Sequence, residues 1–143
     1  MSFIKALGFP VLGILLAVAD SVAAADVVII VSAQNPATTL SRNDVSNIFL
    51  GKTNRFPNGA QAVPIDQPEG STQRLEFYRD ISNKQPAEIR AHWSKMIFTG
   101  RGQPPRVASD DEQVKNTLAA QPGGIGYIDP AAVDARVKPL MVQ

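Results

Sequence analysis

Apolar residues run from Ala6 to Ala19, interrupted only by glycine and proline, with Lys5 as the charge before them and three alanines, Ala23 to Ala25, after. As a helix this run spans about 21 Å at roughly 1.5 Å per residue. That falls short of the roughly 30 Å hydrocarbon core of a bilayer. A basic start, a short apolar stretch and a small-residue site form a secretory signal pattern. Residues 1–25 are therefore expected to be a cleaved signal peptide. Residues 26–143 are expected to form a single exported domain, with an uncleaved membrane anchor as the alternative.

Downstream, the pattern changes period repeatedly. Val27 to Ser32 is a continuous β-branched run of the buried-strand type, stopped by Asn35-Pro36. Ser41 followed by Asp44 predicts a capped helix with Val45, Ile48 and Phe49 on its inner stripe and Gly51 at its end. Phe56-Pro57-Asn58-Gly59 reads as a turn and Ala62 to Asp66 as a short strand. Pro68-Glu69-Gly70-Ser71 breaks the chain before a helix carrying Leu75, Phe77, Tyr78 and Ile81. Pro86 opens another helix, with Ile89, Trp93, Met96 and Ile97 expected on one inner face. Thr99 to Arg106 reads as a loop. Ser109 and Glu112 predict a capping box for a helix with Val114 and Leu118 inside. Two last strands are expected at Ile125 to Ile128 and Val137 to Val142, the second shortened or placed at an edge by Pro139. Alternating strands and helices indicate an α/β layer.

Composition narrows the chemistry. With 14 Lys+Arg against 13 Asp+Glu the net charge is +1, too balanced for a nucleic-acid footprint. No cysteine and a single histidine argue against thiolate sites, cysteine nucleophiles and multi-histidine metal centres. No cofactor is expected. His92 has no orienting partner and no nucleophile elbow is present, so no catalytic residue is assigned. Asp110, Asp111 and Glu112 fit the dipole of a helix start better than acid–base work. Arg101 and Arg106 are either solvated loop residues or contacts for an anion or partner.

The most informative segment is Glu69-Gly70-Ser71-Thr72-Gln73-Arg74. A helix N-terminus leaves amides unpaired along a dipole that favours anions. Gly70 admits a close approach, Ser71 and Thr72 add hydroxyl donors, and Arg74 adds a planar fork. Together they form a candidate oxyanion cradle. The alternative is that Ser71 only caps the helix and Arg74 is a solvated first-turn residue.

Four segments, in order, resemble a known family: Ile48-Phe49-Leu50-Gly51-Lys52; Arg55 to Gly59; Glu69 to Arg74 with Phe77; and Gln121-Pro122-Gly123-Gly124-Ile125-Gly126-Tyr127. They look like the phosphate-binding subunit of bacterial ABC transporters, a type II periplasmic binding protein. The resemblance implies an α/β fold, here one such lobe with a small mixed sheet flanked by helices. It also implies a small oxyanion, phosphate foremost, as ligand. ABC-transporter membrane subunits or another envelope protein would be partners. In that family a helix N-terminus reading Gly-Ser-Gly-Thr-Arg contacts phosphate, and Ser71 and Arg74 match it. Thr72 replaces a glycine and Gln73 a threonine. The family's opening half has no counterpart, because Ser32 to Pro36 lacks its Gly/Ser-rich loop, so the chain resembles a truncated relative. Glu69 is a candidate for the proton acceptor that half supplies. The competing expectation is an interaction or assembly module that has lost ligand binding, with Thr99 to Arg106 as its contact surface.

Overall fold

The computed structural model describes Gly8 and residues 27–143, so the rest of the expected signal segment and its cleavage site lie outside the described residues. Among the described residues no helix is long and apolar enough to cross a membrane. The chain runs β1 (Val28–Ser32), β2 (Thr39–Leu40), α1 (Arg42–Phe49), β3 (Val63–Asp66), α2 (Thr72–Ser82), α3 (Pro86–Phe98), β4 (Arg106–Val107), α4 (Asp111–Ala120), β5 (Gly124–Ile128), a 3-10 turn (Pro130–Ala132), β6 (Val137–Pro139) and β7 (Met141–Val142).

Five strands form one mixed sheet in the order β4-β3-β5-β1-β6. β3 lies parallel to β4 and β5, whereas β1 runs antiparallel to both β5 and β6. Strand side chains alternate between faces, and both faces are covered, which explains the unbroken apolar run of β1. Ile29 and Val31 join Ile125 and Tyr127 beneath α1, α2 and α3, where Phe49, Phe77, Ile89 and Trp93 are buried. Ile30, Ile65 and Ile128 pack on the other face against Val114 and Leu118 of α4. The first face is aromatic at its centre: Phe77 stacks on Tyr127 with ring centroids 4.1 Å apart, and Phe49 meets Phe77 edge-on at 4.6 Å. Both apolar clusters lie on the two faces of this one sheet.

The α4 face leaves no room at Gly126, where an added Cβ would stand 2.8 Å from Val114 Cγ1. Gly126→Ala is expected to cost about 2 kcal/mol by overpacking, read as a lower urea midpoint at unchanged slope.

Local signals worked where a cap or a breaker decided the geometry. Ser41 and Asp44 form the expected capping box, and Ser71 caps α2 through the Arg74 amide. Pro86 sits in the first turn of α3. Three expectations are corrected. The cap of α4 is Asp110, whose carboxylate accepts the Gln113 backbone N–H, while the Ser109 backbone N–H donates to Gln113 Oε1. The Val137 to Val142 strand splits at Leu140, which turns inward. β6 stays on β1 while β7 crosses to pair in parallel with β2. Ile97, one residue from the end of α3, is half exposed and is not buried with Ile89 and Trp93.

Candidate functional site

β3 is apolar until Asp66, which ends the strand inside the protein. Four donors from three elements converge on its carboxylate. Tyr127 Oη and the Gln67 amide (2.9 Å) donate to Oδ1. Tyr78 Oη donates to Oδ2 at 2.5 Å, and Arg74 Nη1 lies 3.4 Å from the same oxygen. Arg74 also donates to the Gln67 carbonyl at 3.1 Å and lies over the Tyr78 ring. Burial, reinforced by the negative charge of Asp66, pushes both phenols far above the usual tyrosine range. A buried carboxylate is tolerable only when its acceptor sites are filled, and here they are.

Beyond Asp66 the chain makes a turn in which the Ser71 amide returns to the Pro68 carbonyl at 3.1 Å. Gly70 adopts φ +91°, which a side chain would strain, and the space where a Cβ would stand is open. The Ser71 hydroxyl accepts the Arg74 amide at 3.2 Å. The amides of Thr72 and Gln73 are the first-turn donors that this cap does not use.

Ser71 and Gln73 face a concavity of about 390 Å³ lined also by Gln67, Ser109, Asp110, Asp111, Glu112, Lys115 and Ala132. Its walls follow the carboxyl ends of β3, β4 and β5, the edge at which open α/β sheets hold their ligands. The starts of α2 and α4 both open onto it. Gln67 spans the floor, donating through Nε2 to Asp111 Oδ1 (2.7 Å) and to the Tyr127 carbonyl (2.9 Å). Lys115 reaches Asp134 at 3.0 Å, Glu112 at 3.1 Å and the Ala132 carbonyl at 2.8 Å. Arg136 donates to Asp134 and Glu112, and with help from Lys115 it holds both carboxyls below their usual range.

The sequence-predicted residues thus separate. Gly70, Ser71 and Thr72 stand at the exposed or half-exposed start of α2, whereas the guanidinium of Arg74 is engaged with Asp66 beneath it. Glu69 pairs with Arg90 and borders a different, mostly apolar cavity between α2 and α3. His92 Nε2 is 2.7 Å from the Leu50 carbonyl and ties α3 to the end of α1. Among the described residues no group of three His, Asp or Glu side chains is arranged to hold a metal. Sequence reasoning missed the Asp66, Tyr78 and Tyr127 cluster and the Gln67 bridge. The available signal was an acid closing an otherwise apolar strand.

A three-layer α/β unit with a mixed sheet, whose ligand-type edge opens beside a Gly-Ser helix start, defines a lobe of the periplasmic-binding-protein class. The family described as PBP superfamily domain matches residues 15–140, and the chain belongs to it. Its fold is similar to that of a Clostridium perfringens protein assigned as a phosphate ABC transporter substrate-binding protein and solved with bound phosphate. The identity is 20%, the TM-score 0.65, and the match covers 81% of this chain and 44% of that one. An ABC-type phosphate transport receptor from Vibrio cholerae matches with a TM-score of 0.64 at 18% identity, over 81% of this chain and 45% of the other. PstS from Borrelia burgdorferi matches at 0.59 and 16%, over 82% and 47%. The chain therefore spans less than half the length of each. No curated protein matches it.

Proposed function

We propose that this chain is an exported, periplasmic, non-catalytic solute-binding lobe that takes a small oxyanion, phosphate foremost, at the start of α2. The observation that carries this reading is the position of the Thr72 and Gln73 amides. They are unused by the Ser71 cap, and the residues on either side of Thr72, Ser71 and Gln73, line a concavity beyond the carboxyl ends of three parallel strands. Gly70 lets the anion reach the backbone, and the Ser71 and Thr72 hydroxyls supply further donors. Arg74 contributes from below by fixing the β3–α2 turn through Asp66 and the Gln67 carbonyl. Asp110 and Asp111 can only accept, so they favour an oxyanion that still carries a proton, which distinguishes phosphate from sulfate at neutral pH. With donors on one wall only, affinity falls between micromolar and millimolar, about 4–8 kcal/mol. ABC-transporter membrane subunits are the partners such a lobe would serve.

Thr72→Pro provides a direct test. Thr72 is the first helical residue, and Ser71 before it is already extended (φ −70°, ψ 145°), so proline fits there and deletes one amide. Calorimetry is expected to show phosphate heat in the parent chain, none with sulfate at equal concentration, and at least tenfold weaker phosphate binding in Thr72→Pro. Absence of heat at millimolar phosphate overturns the reading.

One observation supports the second reading, an envelope interaction or assembly module without ligand capture. Arg74, the strongest cationic donor at the α2 start, is already occupied by Asp66. That reading predicts no phosphate heat in the parent chain and contacts made elsewhere on the surface, Thr99 to Arg106 being the exposed candidate.

A further inference from the structure

The floor of the concavity beside the α2 start holds one acceptor that the fold leaves free. Gln67 follows the buried end of β3 and is itself only 2% exposed. Its Nε2 donates to Asp111 Oδ1 at 2.7 Å and to the Tyr127 carbonyl at 2.9 Å. Both partners accept and neither donates, so they fix the orientation of the amide: turned over, Oε1 would face two oxygens. The backbone of Gln67 is held too, its N–H by Asp66 and Tyr127 and its carbonyl by Arg74. Oε1 receives no hydrogen bond from any described residue. Among the described residues the sealed side-chain polar atom without a partner is Trp93 Nε1 alone, so Oε1 is not sealed. It opens where Gln67 opens, onto the concavity that Ser71 and Gln73 also line.

We infer that Gln67 Oε1 accepts a hydrogen bond from the proton that the bound oxyanion keeps, and so sets the choice of anion at this site. The inference rests on the α2 reading: ionised oxygens of the anion meet the Thr72 and Gln73 amides, and its hydroxyl meets Gln67. Phosphate at neutral pH retains such a proton. Sulfate retains none, and would set an ionised oxygen against the lone pairs of Oε1. Neighbouring carboxylates are less suited to the task. Asp111 already accepts from Gln67 and the Asp129 amide, and Asp110 from the Gln113 amide. Each also carries a charge that repels the anion, whereas an amide carbonyl accepts without one. Glu69, the acceptor expected from the sequence, is turned to Arg90 and a different cavity.

Calorimetry with phosphate and with sulfate on the parent chain, Gln67→Met and Gln67→Lys tests this. The ratio of the two affinities is the readout, because damage to the fold weakens both anions together. The parent is expected to prefer phosphate at least tenfold. Gln67→Met, of similar volume but without an acceptor, is expected to lower that preference at least fivefold. Gln67→Lys keeps a donor for Asp111 and the Tyr127 carbonyl but puts a cation where the acceptor stood, and should bring sulfate binding up to the level of phosphate. Circular dichroism is expected to stay unchanged in both variants. A phosphate preference undiminished in both variants overturns the inference and leaves the α2 site standing, as does an equal loss of both anions in Gln67→Met with Gln67→Lys like the parent. Absence of phosphate heat in the parent chain overturns the α2 reading itself, and this inference with it.

Discussion

Asp66→Ala is expected to destabilise the protein by about 3–5 kcal/mol, measured by urea unfolding at unchanged slope. The substitution strands the hydroxyls of Tyr78 and Tyr127 in the interior and leaves the largely buried Arg74 guanidinium without its counter-charge. An orphaned buried donor costs about 1–3 kcal/mol and an uncompensated buried charge more. Arg74→Met is expected to cost less, because three donors remain on Asp66. A loss below about 1 kcal/mol in Asp66→Ala would mean that the convergence on this carboxylate does not hold the β3–α2 junction. The same comparison separates two roles for Arg74. If it positions the turn, stability falls along with any ligand affinity; if it served only a ligand, stability would be untouched.

The second large effect is alkaline. Tyr78 and Tyr127 are the only tyrosines of the chain, and burial keeps both neutral in the fold well beyond their ordinary range. In the unfolded chain they ionise near pH 10. Above that pH the unfolded state has given up protons that the folded state keeps, so stability is intact below pH 10 and falls as pH rises past it. Each phenol contributes a slope of about 1.4 kcal/mol per pH unit, so the two together give nearly 3. Phenolate absorbance at 295 nm is expected to appear in one cooperative step that coincides with loss of helix by circular dichroism. Phenolate signal rising near pH 10 while the helices persist would contradict the buried placement of both rings.

Both expectations involve residues whose roles were only partly legible in the sequence. Phe77 and Tyr78 announced themselves as apolar positions on α2, and so did Ile125 and Tyr127 on β5. What the pattern could not reveal is that two hydroxyls from segments 49 residues apart would meet on one carboxylate, because the donors are assembled by tertiary packing. Arg74 shows the same limit at the site itself. Its spacing from Ser71 suits an anion equally well whether the guanidinium turns outward or in. Asp66, 61 residues from Tyr127 in the chain yet bonded to its hydroxyl, decides which. Local signals succeeded where the partner is local, as at Ser41 with Asp44. They slipped by one residue at α4, where Ser109 and Asp110 are both competent caps. The short strands β2 and β4 escaped because two residues carry no period; each exists only through its neighbour, β7 or β3.

The two rims of the sheet have a consequence for how molecules of this protein meet one another. β4 offers only two residues, and β6 ends in Pro139, which has no N–H to give a further strand. The apolar Val-Ile-Ile-Val stretch of β1, a sequence well suited to stacking with copies of itself, is held between β5 and β6. Growth of the sheet from molecule to molecule is thereby hindered at both sides, so long as the closing residues Val137 to Pro139 keep their place beside β1.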